Sequence, residues 1–264
     1  MLHLNISLKK FNQINLNASI LSRSKSLKRL AIVSSNRILL DLNCFSHVTE
    51  LRELILKNID VKNESEGFWQ NINGLEKLTI HNVPNVHIHK SSQLVHLKEL
   101  NIQITPSDLE KYRNEQEIDT NPTTNEICHF ILNNLTQLTN LDLSYCSLTY
   151  FDKIVFGKLT KLTHLDLSSN RIEHIEDDAF DSLVNLEEVN LKNNSMRKIN
   201  FNRVFLKLDN LKVLSIDRMK YSDLMHDLFN FKSLITTNYC IIGEFFRLRI
   251  VDRKLRRSLC SGSS

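Results

Sequence analysis

Glycine and proline are scarce in this chain, which has 5 glycines and 3 prolines among its 264 residues. A fold that depends on many tight turns with positive φ would need more glycine, because glycine adopts that conformation without a steric penalty. The sequence also lacks any run of about 18 apolar residues, so we expect no membrane-spanning helix in it. Its first residues lack the apolar core of a secretory signal peptide. The missing signal peptide indicates either a protein that stays inside the cell or a chain that lacks its natural N-terminus.

Neither the charge nor the cysteine content indicates a particular partner. The net charge of +4 is too small to favour nucleic acid or an anionic membrane, and we expect no nucleic-acid partner. The cysteines form no CxxC pair and show no metal-ligand spacing, which excludes a zinc finger and a disulfide-dense miniprotein. They leave the redox compartment open. The five cysteines are Cys44, Cys128, Cys146, Cys240 and Cys260.

Five sequons for N-glycosylation occur along the chain. Because the sequence is rich in asparagine, serine and threonine, chance alone would give about four such sequons. They therefore do not decide whether the protein is secreted. The candidate acceptors are Asn5, Asn17, Asn63, Asn134 and Asn193.

The informative feature of the sequence is a repeat with a period near 24 residues. Eight stretches follow the pattern L-x-x-L-x-L-x-x with conservative substitutions. Successive stretches begin 24, 24, 22, 41, 24, 24 and 25 residues apart, so one interval alone breaks the period. The stretches begin at Leu27, Leu51, Leu75, Leu97, Leu138, Leu162, Leu186 and Leu211.

Two further columns of mostly apolar residues run in register with these starts. Chance does not place three columns in register over eight units. The column six residues upstream of each start contains Leu21, Phe45, Trp69, Ser91, Leu132, Phe156, Phe180 and Phe205. The column three residues upstream contains Ser24, Val48, Ile72, Leu94, Leu135, Leu159, Leu183 and Leu208.

Each unit is predicted to form a short strand followed by a returning segment. The alternation x-L-x-L-x at period two puts the leucines on one side of the strand. One unit cannot bury that side alone, so neighbouring units stack into a continuous core. The asparagine after the strand (Asn36, Asn170 and Asn194) can bond exposed backbone of adjacent turns. Cys146 occupies the same position, where we expect a buried structural thiol.

The motif resembles the typical extracellular leucine-rich repeat, with its L-x-x-L-x-L-x-x-N strand and its F-x-x-L-x-x-L return. The clearest copy runs from Leu162 to Leu186, and the resemblance extends from about residue 2 to residue 243. It implies an α/β solenoid, curved like a horseshoe, with a parallel sheet on the concave side and irregular or short-helical segments on the convex side. It also implies a protein-binding module, since such repeats serve receptors, adhesion proteins and secreted binders. A unit length near 24 is typical of the extracellular class.

The repeats divide the chain into a solenoid and a tail. Residues 1–243 hold about nine to ten units, and the 41-residue interval contains a polar insertion at about residues 106–126 that we expect to be a surface loop. The chain opens within a strand unit, which indicates a truncated sequence, a fragment or a frayed first repeat. Residues 244–264 form a basic segment, the C-terminal cap or tail.

The basic tail is predicted to be an amphipathic helix. Leu248, Val251, Leu255 and Leu259 recur at three- and four-residue steps, which is the spacing of one helical stripe. The helix could cap the last repeat, lie beside a membrane as a basic segment, or bind nucleic acid. If the protein is secreted, a disulfide between Cys240 and Cys260 would fix this cap.

Strand residues between the leucines point away from the core and form the expected ligand face, which carries no aromatic stripe. Bases gather early on this face and acids gather late. Asp142 and Asp166 lie on neighbouring strands, where like charges cost stability unless a cation or a basic partner is present. We therefore expect this acidic group, with His164, to contact a basic patch on a protein ligand; ordinary solvated surface charge is the alternative. The face residues considered are Arg29, Lys57, Lys77, Asp142, His164, Asp166, Glu188 and Asp217.

No catalytic, metal or cofactor motif is present, since the chain has no Gly-rich phosphate loop and no nucleophile elbow. The leading hypothesis is an extracellular or cell-surface recognition domain that binds a protein ligand or co-receptor, with any membrane anchor outside this chain. The alternative is an intracellular, cytoplasmic scaffold or adaptor that uses the same solenoid under reducing conditions.

Overall fold

The computed structural model describes residues 2–8, 15–16, 21, 24–62, 68–83, 88–104, 114, 124–196, 199–217, 237–242 and 245–250. The strands are β1 (Leu2–Leu8), β2 (Asn15–Leu16), β3 (Leu27–Asp41), β4 (Glu53–Lys62), β5 (Lys77–His81), β6 (Glu99–Ile102), β7 (Asn140–Asp142), β8 (Tyr150–Phe151), β9 (His164–Asp166), β10 (His174–Ile175), β11 (Glu188–Asn190), β12 (Val213–Asp217), β13 (Thr237–Ile242) and β14 (Phe245–Ile250). The α-helices are α1 (Phe68–Asn71), α2 (Thr124–Leu132), α3 (Lys153–Phe156) and α4 (Phe201–Val204). Two 3₁₀ helices cover Leu42–His47 and Ile88–Gln93.

One 12-stranded sheet runs through the described part of the molecule in the order β1-β3-β4-β5-β6-β7-β9-β11-β12-β14-β13, with β2 paired to β3. Neighbouring strands of this sheet from β1 to β12 are parallel, and each repeat contributes one strand to it. Together with the repeat pattern, this parallel sheet makes the fold an α/β solenoid, as the sequence predicted. The first outward column is also in the predicted register: Arg29, Glu53, Lys77, Glu99, Asn140, His164, Glu188 and Val213.

The core lies between this sheet and the returning segments of each unit. The predicted leucine positions are almost completely buried, and the upstream aromatic column closes over them. Phe156, Phe180 and Phe205 stack from unit to unit with ring centroids 6.0 and 5.9 Å apart. Full burial of such a side chain stabilises a fold by about 1.5–3 kcal/mol. Because each ring packs on the ring of the next unit, the stabilisation is shared between units.

Asn170 fastens the backbone of its own unit to that of the preceding unit. Its side-chain oxygen accepts hydrogen bonds from the amides of Cys146 and Leu148 (2.9 and 3.1 Å), and its nitrogen donates to the carbonyls of Leu143 and Leu167, each at 2.9 Å. The side chain is buried, so these backbone groups have no water to replace it. The predicted role of this asparagine is confirmed.

The same ladder continues on either side of Asn170. Asn194 accepts from the amide of Ile172 (3.0 Å) and donates to the Leu167 carbonyl (3.0 Å). In the unit before Asn170, the buried thiol of Cys146 accepts from the Ile104 amide and donates to the Ile102 carbonyl, both at 3.4 Å. A thiol thus takes the position of the asparagine side chain, and the expectation of a buried structural Cys146 is confirmed.

The first half of the solenoid replaces this ladder with longer strands. Ile59 and Val83 occupy the asparagine position there, and both are buried. After this position β3 and β4 pair a second time, following a register shift, from Ile38 opposite Ile59 onward. Asn36 stands one residue later than the asparagine position, inside β3, so the expectation that it continues the ladder is wrong; its side chain is outside the described residues. The two halves therefore differ in how the chain continues after the first pairing of each strand.

The predicted C-terminal helix is wrong where the structure describes it. Residues 245–250 form β14, which pairs antiparallel with β12 on one side and with β13 on the other. The sequence FFRLRI alternates apolar residues with Arg247 and Arg249, and that period of two favours a strand. Val251, Leu255, Leu259 and Cys260 lie outside the described residues, as does the side chain of Cys240.

The insertion was predicted to be a loop over about residues 106–126, and its last three residues are helical instead. They begin α2, which starts at Thr124 and continues to Leu132. Cys128 and Ile131 of this helix are buried, so its apolar side anchors the helix to the core. Residues 105–113 and 115–123 lie outside the described part.

Four of the ion pairs between described units lie away from the sheet face. Their side chains are substantially exposed, so they are screened by solvent and contribute little stability. Core packing and the asparagine ladder therefore hold the units together. The pairs are Glu76–Lys98, Lys153–Asp178, Asp181–Lys207 and Glu187–Lys212.

Replacing Asn170 with alanine should destabilise the solenoid strongly. The variant leaves the buried amides of Cys146 and Leu148 without an acceptor, at a cost of about 3 kcal/mol in the free energy of unfolding. Asn185→Ala is the matched control, because exposed Asn185 makes one hydrogen bond, to the Thr160 carbonyl. We expect a loss below about 1 kcal/mol for the control. Urea unfolding followed by circular dichroism measures both, and equal losses would contradict the ladder's role.

Candidate functional site

A groove of about 420 Å³ lies across the outer face of the sheet, from β4 to β11. Its walls are the strand residues that point away from the core, as predicted for the ligand face. All of these outward side chains are polar or charged. They are Glu53, Lys77, Thr79, Glu99, Asn101, Asn140, Asp142, His164, Asp166, Glu188 and Asn190. Ala31 and Ser215 stand at outward positions of β3 and β12 at the two ends of the parallel run, but they are buried.

The bases at the early end of the face are paired with acids from the next strand. The side chains of Arg29 and Glu53 approach to 3.1 Å, and those of Lys77 and Glu99 approach to 2.6 Å. The hydrogen bond that the Lys77 ammonium donates to the Glu99 carboxylate raises the pKa of Lys77 above its ordinary value. These pairs turn the expected basic region into a row of alternating charges. Lys57, the third early base, is not part of this row: it lies two outward columns away on β4 and is half-buried.

Asp142 and Asp166 face each other on β7 and β9, as the sequence predicted. One oxygen of each carboxylate closes a turn: Asp142 accepts from the Ser144 amide (2.9 Å) and Asp166 from the Ser168 amide (2.8 Å). The second oxygen of Asp166 accepts from the Asn190 side chain at 2.9 Å. Neither aspartate forms an ion pair among the residues that the structure describes. The chain thus orients two neighbouring carboxylates with neutral donors.

His164 and Glu188 flank the two aspartates; we name Asp142, Asp166 and Glu188 together the acidic strip. His164 is exposed and lies opposite Glu188 across β9 and β11. The Thr163 hydroxyl donates to the Thr139 carbonyl (2.9 Å), so the Nδ1–H of His164 donates to that hydroxyl at 2.9 Å. This arrangement leaves the Nε2 atom of His164 available to a ligand. Asp217 ends β12, and its side chain is outside the described residues.

Sequence reasoning missed the turns that hold the aspartates. Asp142 and Asp166 each precede a serine by two residues, and Asn190 stands in the same relation to Lys192. This spacing is the signal of an Asx turn, in which the side chain accepts a hydrogen bond from the amide two residues later. The acids on this face therefore have a structural role as well as a charge.

The adjacent pair Cys128–His129 does not form a reactive site. Cys128 is buried, and desolvation raises the pKa of its thiol well above the ordinary value, while His129 is exposed. Neither Cys128 nor Cys146 forms a disulfide. Within the described ranges, no group of three or more histidine, cysteine or acidic side chains could hold a metal ion. No helix in that part of the molecule is long and apolar enough to cross a membrane.

Three of the five sequon asparagines lie in the described residues, and all three are exposed. Asn5 is in β1, Asn134 follows α2, and Asn193 lies in a turn where its side chain donates to the Ser169 hydroxyl at 3.3 Å. Asn17 and Asn63 lie outside the described residues. Exposure makes an acceptor accessible and does not itself show a glycan.

A family model described as leucine rich repeat matches residues 119–172, 136–196 and 160–218. The matches cover the regular second half of the sheet. Residues 119–218 therefore match the leucine rich repeat family, in the part of the chain where the repeat is most regular. Among solved structures, it is similar to an internalin (inlF) from Listeria monocytogenes str. 4b F2365, with 21% sequence identity and a TM-score of 0.50. That alignment covers 75% of this chain and half the length of the internalin chain, so it shows the fold alone. The comparison with curated proteins gives no match.

Two substitutions of Asp142 should separate the effect of its charge on stability from the effect of its turn hydrogen bond. Asp142→Asn keeps an oxygen for the Ser144 amide and removes repulsion from Asp166, so the free energy of unfolding should rise by about 0.5 kcal/mol. Asp142→Ala loses the turn bond and should lower it by about 1 kcal/mol. Urea unfolding at low ionic strength measures both. If Asp142→Asn is as destabilised as Asp142→Ala, repulsion between the aspartates is not significant.

Proposed function

We propose that this chain is a non-catalytic recognition module of a cell-surface or secreted protein, and that it binds a protein ligand through the concave sheet. The observation that carries the proposal is the groove, whose polar walls come from eleven outward side chains on consecutive strands. An open groove with polar walls suits the extended surface of a protein better than a small molecule, because small molecules usually bind in apolar pockets.

Several side chains of the groove are oriented by contacts within the chain. Its aspartates are fixed by turn amides, and its early charges are fixed in ion pairs. Side chains that are already ordered lose little conformational entropy when a partner binds. This preorganisation supports a role in recognition.

The acidic strip supports a ligand with a basic patch. Asp142 and Asp166 lie side by side on neighbouring strands and form no ion pair with the described residues, so their charge repels within the sheet. An arginine or lysine from a partner would relieve that repulsion, with His164 and Glu188 beside it. We propose that Arg29, Lys57, Lys77 and Asp217 contact outer parts of the same ligand.

An extracellular location is supported by the repeat length, and the exposed sequons are compatible with it. The regular units repeat every 24 or 25 residues, which resembles the extracellular class. Asn5, Asn134 and Asn193 are exposed, and a glycan on Asn134 would lie after α2, away from the groove. An intracellular scaffold is the second candidate. The observation that favours it is that the buried thiols of Cys128 and Cys146 form no disulfide, a state that a reducing compartment would preserve.

Neutralising the two aspartates should weaken ligand binding. The first step is to screen the chain against a panel of purified ectodomains and secreted proteins for a ligand. For the ligand found, the double variant Asp142→Asn with Asp166→Asn should bind at least about tenfold more weakly at low salt, because two central charge contacts are lost. Surface plasmon resonance gives the dissociation constants.

The control is the double variant Asp178→Asn with Asp181→Asn. It makes the same change in net charge, but these aspartates belong to the external ion pairs with Lys153 and Lys207. Its affinity should match that of the wild-type chain. Unchanged affinity of the Asp142 and Asp166 double variant at low salt would contradict binding through the acidic strip. Equal weakening by both double variants would reduce the effect to net charge.

Removal of N-glycans tests the location. If the protein enters the secretory pathway, the endogenous species should migrate well above 30.8 kDa on a denaturing gel and shift downward after enzymatic deglycosylation. Asn134→Gln and Asn193→Gln should each remove part of that shift. A single band near 30.8 kDa that deglycosylation does not move would contradict the extracellular proposal and favour the scaffold.

A further inference from the structure

Tyr145 combines two unusual properties. Its side chain is 64% exposed, the highest value among the large hydrophobic residues that the structure describes. Its backbone φ is 60°, in the left-handed region that a bulky side chain rarely adopts. An exposed ring gains little from packing, so core stability does not account for a tyrosine at this strained position.

Other repeats show which residues this position accepts without strain. The equivalent residues Asn58, Asn82 and Asn193 have φ values of 55°, 50° and 55°, and Ser169 has 56°. Asparagine tolerates the left-handed region, because its short polar side chain can bond locally. It does so here: Asn82 donates to the side chain of Asn58 at 2.9 Å. Tyr145 is therefore the one aromatic among five left-handed turns that otherwise carry asparagine or serine.

The backbone fastens Tyr145 beside the two central aspartates. The turn closed by Asp142 on the Ser144 amide immediately precedes it. Its own amide donates to the carbonyl of Ser168 at 3.2 Å, and the amide of Ser168 is bonded in turn to Asp166. Tyr145 thus lies three residues after the end of β7, and its backbone is joined through one hydrogen bond or one peptide link to each aspartate turn.

We propose that Tyr145 is the aromatic anchor of the concave site and selects a ligand segment that presents arginine. This inference rests on the proposed function and deepens it. A guanidinium plane packs favourably on a tyrosine ring, and its charge is attracted both by the ring face and by carboxylates nearby. The ring supplies contact area beside the aspartate turns, while the carboxylates of Asp142 and Asp166 supply the negative charge that attracts the guanidinium. Aromatic residues of this kind dominate the affinity of many protein interfaces.

The test measures the binding of a fluorescein-labelled peptide of alternating arginine and glycine to the full chain by fluorescence anisotropy. The same peptide with lysine or glutamate in place of arginine is compared with it. The wild-type chain should bind the arginine peptide most tightly and the glutamate peptide least. Tyr145→Asn should weaken the arginine peptide about fivefold or more, whereas Tyr145→Phe keeps the ring and should stay within about twofold.

Stability distinguishes an anchor from a structural residue. Since asparagine fits the left-handed turn better, Tyr145→Asn should raise the unfolding temperature by about 2 °C while it weakens binding. A structural tyrosine would give lower stability in the same variant, and that result would overturn the proposal. Tyr150→Asn is the control, because it removes another exposed tyrosine at the start of β8 and should leave affinity unchanged.

The remaining outcomes separate this inference from the proposed function. If Asp142→Asn with Asp166→Asn weakens the arginine peptide and Tyr145→Asn does not, the concave site stands and Tyr145 is not its anchor. If the wild-type chain does not prefer the arginine peptide, arginine selection is overturned, while the ectodomain screen still decides the proposed function. If neither substitution changes binding to the peptide or to the screened ligand, both proposals fail.

Discussion

Every unit of this solenoid buries its apolar side chains against the units beside it, and the rest of the structure depends on that stacking. A strand of three residues such as β9 has too little apolar surface to be stable alone. The stacked rings of Phe156, Phe180 and Phe205 and the asparagine ladder turn many weak units into one cooperative body. Damage to one unit therefore exposes the core of both neighbours.

The same stacking determines which side chains lie next to each other on the outer face of the sheet. Parallel strands without register shifts place equivalent residues opposite each other, so any charge repeated in the sequence becomes a column in space. Opposite charges in such a column neutralise each other, as Lys77 and Glu99 do. Like charges accumulate, as Asp142 and Asp166 do. The charge pattern of the outward face is thus produced by the order of residues along a repeat.

Much of this could be predicted from the sequence, because the repeat makes burial periodic. The spacing of Leu141, Leu165 and Val189 determines which strands are neighbours, and the register of the outward columns follows from it. The role of Asn170 follows from its place after the strand. The aspartate turns were also within reach, since Asp142 and Ser144 stand at the spacing of an Asx turn.

Other features depend on competition that the local sequence does not resolve. Leu248 satisfies both a helical stripe with Val251 and a strand alternation with Phe246, and pairing with β12 decides for the strand. The ion pair of Arg29 with Glu53 forms because the side chains reach across neighbouring strands. The number of bases in the early repeats alone therefore predicted a net positive charge that these acids neutralise. The backbone of Tyr145 follows from its place in the repeat only when the other left-handed turns are known.

Stability and recognition make opposite demands at the centre of the face. Asparagine at residues 142 and 166 would keep both turns and remove the repulsion, and asparagine at residue 145 would fit its backbone better. The chain instead carries two carboxylates and a tyrosine, each less favourable to folding than a simple alternative. Local violations of this kind are typical of functional sites, where the surrounding structure compensates for them. Here the ladder of Cys146, Asn170 and Asn194 runs directly beneath these turns and holds them in place.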